Sequence, residues 1–214
     1  MKRIIIICEG QTEQEFCKEV LSPYFLAKNI QIQAPVIKHS GGGIVHWKTL
    51  QKQIENHIKQ DKAAKISMLI DYYGLKATYD FPKWSDCHKI GNKSSRLTAL
   101  ETAMKEAVDS PHFLPYIQLH EFEGLLFQNI RVFRDNFSAE EADFEKSAKV
   151  IAQFPNVEDI NDSSKTAASK RLEAYIKGYN KPIFGALLAK EIGLTAIRKK
   201  APRSDKWIQA LESL

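Results

Sequence analysis

The apolar positions of the chain follow two different periods. Ile4, Ile5, Ile6, Ile7 and Cys8 form an unbroken, mostly β-branched run that stops at Glu9-Gly10. Such a run suits a strand covered on both faces, as in a parallel sheet packed between helices. A second run, Ile66 to Ile70, ends at Asp71. Ile30 to Ile37 and Phe113 to Leu119 are further strand candidates, each weakened by a proline, Pro35 and Pro115; the latter is expected at the periphery and ends at His120-Glu121.

Helical spacing fills the intervals. Thr12 and Glu15 read as a capping box, Phe16, Cys17, Val20 and Leu21 share a face, and Pro23 stops or kinks the helix. Ile44, Trp47, Leu50, Ile54 and Ile58 mark the next helix, and Leu97, Leu100, Met104, Ala107 and Val108 the one after. Residues 72–95 lack periodicity, and loops that long inside a compact domain are usually functional or disordered. From Asn129 onward strand signals stop. Helices are expected near Ala139–Gln153, Ser164–Ile176, Pro182–Ile192 with Gly193 as a C-cap, and Ser204–Leu214. The pattern predicts an α/β domain over 1–128, a mostly parallel, Rossmann-like sheet flanked by helices, with a helical C-terminal part over 129–214 packed on it.

Charge sharpens this division. The 214 residues carry 31 Lys+Arg and 26 Asp+Glu, a net +5. Residues 161–214 hold 11 bases and 5 acids, leaving the preceding 160 residues at −1. A basic helical tail on a neutral body suggests an anion-binding or nucleic-acid-facing region. The longest apolar run has five residues, too short to span a bilayer or serve as a secretory h-region. Cys8, Cys17 and Cys87 form neither an even disulfide framework nor a CxxC pair, so a reduced, cytoplasmic protein is expected.

Candidate chemistry gathers at the strand ends. Glu9, Asp71 and Glu121 each close a strand candidate, and in an open parallel sheet those ends share the edge where ligands bind. Glu13 sits in the first turn of the following helix, and Glu123 would share the face of Glu121 if the strand persisted. Such an oxygen-rich set suits Mg²⁺ or Mn²⁺ and phosphodiester chemistry. The plainer alternative makes these acids helix caps and solvated loop residues. His120 is a candidate general base or a strand-end histidine bonded to backbone. Ser40–Gly43 could present amides to phosphate or simply connect, and it lacks the Gly-Lys-Ser/Thr of a P-loop. Aromatic and basic residues alternate between Tyr72 and Arg96, where Tyr73 and Lys76 could contact single strands or pack in a lid. Lys170-Arg171 is the favoured phosphate contact of the tail; Arg198-Lys199-Lys200 reads as a solvated helix end.

Two resemblances rest on these residues. Ile7-Cys8-Glu9-Gly10-Gln11-Thr12-Glu13 resembles the first motif of TOPRIM domains, especially those of overcoming-lysogenization-defect nucleases, which implies that Glu9 and Glu13 are metal-site acids. Asp71 matches the first Asp of the TOPRIM DxD motif. Tyr73 stands where the second would be, so Glu121 or Glu123 would have to substitute. More narrowly, Asp71-Tyr72-Tyr73-Gly74, the block His120-Glu121-Phe122-Glu123-Gly124-Leu125-Leu126-Phe127, Ser169-Lys170-Arg171-Leu172 and Ile192-Gly193-Leu194 resemble the bacterial DUF family 4276. That family is similar to TOPRIM proteins encoded beside AAA-type ATPases in phage-defence operons. The resemblance implies a metal-dependent nuclease held or triggered by an ATPase partner, and with the acid cluster the expectation is a Mg²⁺- or Mn²⁺-dependent enzyme acting on DNA or RNA, with homo-oligomer formation left open. The alternatives are a non-catalytic adaptor for nucleic acid or ATPase, and a hydrolase of small nucleotides.

Overall fold

The structure is a computed structural model and describes residues 1–38, 43–160, 163 and 165–213. Ser40, Gly41 and Gly42 lie outside the described residues, and with them most of the glycine loop. The strands are β1 (Lys2–Cys8), β2 (Ile30–Gln33), β3 (Lys65–Asp71), β4 (Phe113–Leu114) and β5 (Ile117–Gln118). They lie in the order β2-β1-β3-β4, with β5 also on β3, and every one of these pairings is parallel.

Why β1 is apolar at every position from Ile4 to Cys8 is visible in what covers its two faces. Ile4, Ile6 and Cys8 enter one core, whereas Ile5 and Ile7 enter the other, so alternate side chains feed opposite faces of the sheet. The prolines act as expected. β4 and β5 sit at the edge and keep the same offset to β3 on both sides of Pro115, so they form one strand with a missing ladder bond. Similarly, β2 ends before Pro35, and its register resumes in a single bridge between Cys8 and Val36.

The helices are α1 (Gln11–Phe16), α2 (Ser22–Leu26), α3 (Trp47–Gln60), α4 (Trp84–His88), α5 (Lys93–Val108), α6 (Ile130–Asn136), α7 (Phe144–Gln153), α8 (Ala168–Tyr175), α9 (Lys181–Ile192), α10 (Leu194–Lys200) and α11 (Pro202–Glu212). A π-helical turn, Cys17–Leu21, joins α1 to α2, and Pro23 falls in the first turn of α2, where its missing N–H costs no bond. The helix cap differs from the expected Thr12–Glu15 box. Gly10 is the N-cap, and the Glu13 carboxylate accepts its N–H at 2.9 Å. Glu15 pairs instead with Lys18.

One face of the sheet is covered by α3 and α5 through Trp47, Leu50, Ile54, Leu97, Leu100 and Met104. Residues 72–95 belong to this layer. Tyr72, Leu75, Phe81 and Cys87 are buried and α4 forms within the segment, so two of its aromatics pack inside a folded cover while Tyr73 stays exposed, a feature invisible to periodicity in so short a helix. The opposite face holds α1, α2 and the C-terminal helices, whose Phe133, Val150, Leu172, Leu188, Ile197, Trp207 and Leu211 share one core with Ile4 and Phe16. Close approach needs glycine here: a Cβ at Gly185 of α9 would stand 2.8 Å from Thr12 Cγ2. Helix α6 is not expected from the pattern, α10 is foreshadowed only by the helix end at Arg198-Lys199-Lys200, and α7 and α8 begin later than the pattern predicts, at Phe144 and Ala168.

Much of the tail's basic charge holds the tail in place. Arg198 binds Asp205, Glu212 and Tyr24. Arg203 reaches Glu101 at 2.6 Å, Lys190 reaches Glu19 at 2.8 Å, and Lys200 donates to the Gln128 carbonyl at 2.6 Å. No helix among the described residues is long and apolar enough to cross a membrane.

Candidate carboxylate site

The β1–β3 register, with Cys8 opposite Leu69, brings Glu9 level with the end of β3, and Glu9 Oε2 accepts the Asp71 N–H at 2.9 Å. Glu9 Oε1 lies close against Gly74, where an added Cβ would meet it at 3.0 Å and press on the carboxylate. Asp71 in turn uses Oδ1 to accept the Phe122 N–H at 2.9 Å, fixing the 3₁₀ turn Phe122–Leu126 against the strand end. That turn corrects the expectation that Glu121 and Glu123 share a strand face. The strand stops at Gln118, and His120 takes a left-handed backbone (φ 63°), a conformation that disfavours a side chain bearing Cβ. The chain turns there, and the two acids part.

Glu121 points to the first turn of α8, where it accepts the Ser169 N–H at 2.9 Å and the Ser169 hydroxyl at 2.8 Å. This joins the HEFEGLLF block to the Ser169-Lys170-Arg171-Leu172 motif and places a carboxylate at a helix N-terminus, where the dipole favours it. Glu123 is fully buried. Lys181 Nζ, from the first turn of α9, stands 3.0 Å from its Oε1 as an ion pair without hydrogen-bond geometry, and neither of its oxygens has a hydrogen-bond partner among the described residues.

The electrostatics follow from crowding in a dry place. Burial raises the pKa of Glu9, against the Asp71 N–H and Lys181 and with the help of Glu123 and Glu121. Burial and then Glu9 raise Glu13. Asp71 lies well above the ordinary range through burial, with Glu13, Glu9 and Glu123 adding to it. Glu123 is pushed up to about 7 by burial, even with Lys181 beside it. Burial works against the charge of Lys181, but Glu123, Asp71 and Glu121 outweigh it and raise its pKa. Carboxylates so placed attract a cation, because each disfavours the charged form of the next.

The all-oxygen donor set suits a hard divalent ion, and the buried, unpartnered Glu123 oxygen is a further sign of unmet demand. The present spacing does not meet that demand. Among the described residues no three His, Cys, Asp or Glu side chains are grouped to hold one ion. The reason is visible: Glu9, Glu13, Asp71 and Glu121 each bind backbone N–H groups, and Lys181 takes Glu123. In this conformation Glu13 is a helix cap, the plainer of its two sequence readings.

The other sequence candidates lie at varied distances from this cluster. His120 is buried, and its carbonyl accepts the Tyr73 N–H at 2.9 Å. Tyr73 is 45% exposed. Lys170 is exposed on α8, pairs with Glu173 at 2.6 Å and is close enough to feel Glu121 and Tyr73 electrostatically, which sets it at the rim. Arg171 turns away, donating to the Thr166 carbonyl and covering Phe154. Lys76 is exposed and lies over the Tyr79 ring. Lys181 and Tyr179 escaped the sequence reading, and Ser169 and Gly74 entered it only inside the family-like motifs, with no role assigned. The buried Tyr179 hydroxyl has no hydrogen-bond partner among the described residues; burial first, then Glu123 and Glu121, raise its pKa. A signal for Lys181 existed: Asn180-Lys181-Pro182 marks a helix start, where a base opposes the helix dipole and needs an external reason.

The architecture defines an α/β protein with a carboxylate-rich site at the carboxyl edge of a parallel sheet. Its family follows from comparison with family models. The model described as Domain of unknown function (DUF4276) matches residues 8–212, and the chain belongs to that family. Neither the curated proteins nor the solved structures give a match.

Proposed function

We propose that the chain is a Mg²⁺- or Mn²⁺-dependent nuclease whose site is built on Glu9 and Asp71, with Glu13, Glu121 and Glu123 around them. The observation that carries this reading is the gathering of these acids, Glu9 half-buried and the others buried, at the edge of β1 and β3, four of them with raised pKa values. When bound, a divalent ion activates water and stabilises the leaving oxygen of a phosphodiester. The protein's own contribution is positional. The Asp71 N–H orients Glu9, and the Phe122 N–H orients Asp71, so the two strand-end carboxylates are fixed relative to each other by backbone. Tyr73 and Lys170 at the rim, with Lys76 further out, supply ring and cationic contacts suited to a nucleic-acid strand. The resemblance to phage-defence effectors supplies the setting, with an AAA-type ATPase as partner and the cytoplasm as its place.

A specific observation also favours the adaptor reading: the acids are bonded to backbone and to Lys181 rather than grouped around one point. One experiment separates the two. Labelled single-stranded DNA, duplex DNA and RNA are incubated with the protein and Mn²⁺. Cleavage by the wild type that is lost in Glu9→Gln and Asp71→Asn supports the nuclease. Cleavage unchanged by both substitutions refutes it. No cleavage, with retention of an ATPase partner by wild type and both variants alike, makes the chain an adaptor.

A further inference from the structure

Lys181 is a charged side chain whose position the fold alone does not explain. It occupies the first turn of a twelve-residue helix, where its charge opposes the dipole, and it meets a carboxylate that has no exposed surface. A buried carboxylate beside a single ammonium is costly unless both of its oxygens are satisfied. Here Oε2 of Glu123 is not, and the hydroxyl of Tyr179, two residues before Lys181, is buried and likewise unpartnered among the described residues. Lys181 acts electrostatically on Glu9, Glu13 and Asp71 as well as on Glu123, so one ammonium serves four acids. Its side chain is nevertheless 39% exposed, which leaves its tip a path to water without unfolding α9.

We propose that Lys181 is a tethered counter-cation that holds the carboxylate cluster closed, and that a divalent cation enters by exchanging with it. The inference rests on the divalent-cation reading above and adds its regulation: the lysine end leaves Glu123 as the ion arrives. A compact ion with several oxygen ligands can satisfy both oxygens of Glu123, which one ammonium at 3.0 Å from Oε1 does not. The start of α9 then senses the state of the site, because Lys181, Pro182 and the Asn180 cap form one turn, and Gly185 locks that helix onto α1 beside Thr12.

The test is Mn²⁺ binding by isothermal titration calorimetry to the wild-type chain, Lys181→Met and Lys181→Arg, with fold checked by circular dichroism. Removing the competing charge should tighten Mn²⁺ binding about tenfold or more in Lys181→Met, and Lys181→Arg should bind no better than wild type. Should Lys181→Met prove misfolded, Lys181→Gln carries the same expectation. Equal affinity in wild type and the neutral variant overturns the exchange while leaving the metal reading intact. Loss of binding in a folded neutral variant also overturns it, making Lys181 a part of the loaded site. Absence of binding in every variant overturns the metal reading itself, and the exchange with it.

Discussion

Substituting Glu123 by Gln should stabilise the metal-free protein at alkaline pH, the opposite of what removing an ion pair usually does. Glu123 has no exposed surface, and burial lifts its pKa from an ordinary value of 4.5 to about 7 despite Lys181. A carboxyl whose folded pKa exceeds its unfolded one favours the folded state fully below about pH 4.5, and that advantage is lost as pH rises through about 7. At pH 8 the folded chain bears the whole cost of the ionised group. The shift corresponds to about 3 kcal/mol at about 1.4 kcal/mol per pKa unit. Gln keeps the shape and sheds the charge. Lys181 loses its partner in exchange, but it is partly exposed and still faces Asp71 and Glu121, so a net gain of about 1–3 kcal/mol remains. For a chain of this size that is a rise in Tm of about 3–10 °C. Thermal unfolding in EDTA at pH 5, 6, 7 and 8 reads the effect directly. The gain should be largest at pH 8 and shrink towards zero at pH 5. A variant less stable than wild type at pH 8, or a difference constant across the series, refutes the reasoning.

Three further outcomes test the framework around the site. Gly74→Ala should cost about 1–3 kcal/mol in urea unfolding, because its Cβ presses on Glu9 Oε1 at 3.0 Å; a neutral effect would show that the carboxylate is free to move. Trp207→Phe keeps the stack on Tyr116 but loses the bond from Nε1 to Ser67 Oγ, and should cost about 1 kcal/mol by the same assay, with Tyr116→Leu additionally removing the stacked ring. Asp61, held at about 2 by the Arg3 guanidinium, should make Asp61→Asn less stable than wild type at pH 7. That difference should fade as pH falls from about 4 through 2, since a depressed carboxyl contributes only while ionised.

The sheet was legible because β1 and β3 leave little ambiguity: β1 has five apolar residues in a row and β3 is broken only by Ser67, runs that cannot be half-exposed, and an acid directly after them lies at a strand end. Glu9 and Asp71 were therefore placed correctly by local pattern alone. Glu121 and Glu123 were not, because their directions depend on the left-handed turn at His120, and a histidine gives no local warning of a positive φ as glycine would. Lys181 was hidden by distance: 58 residues separate it from Glu123, and only tertiary packing of α9 on α1 brings them together. The basic tail shows the same limit. Counted along the chain it suggests an anion-binding surface, and the count does not show that Arg198, Arg203, Lys190 and Lys200 are bound to acids and carbonyls of the fold. Lys170 lies exposed on α8 beside Glu173, and Arg171 donates to the Thr166 carbonyl.

The central claim is that the strand-end acids form a divalent-cation site now closed by Lys181. Anomalous diffraction from crystals soaked in Mn²⁺ tests it most directly. The expected map holds a Mn²⁺ peak among the carboxylates of Glu9, Asp71 and Glu123, with Lys181 Nζ withdrawn from the 3.0 Å contact it makes here. A map without that peak at saturating Mn²⁺, and with Lys181 still on Glu123, would contradict it.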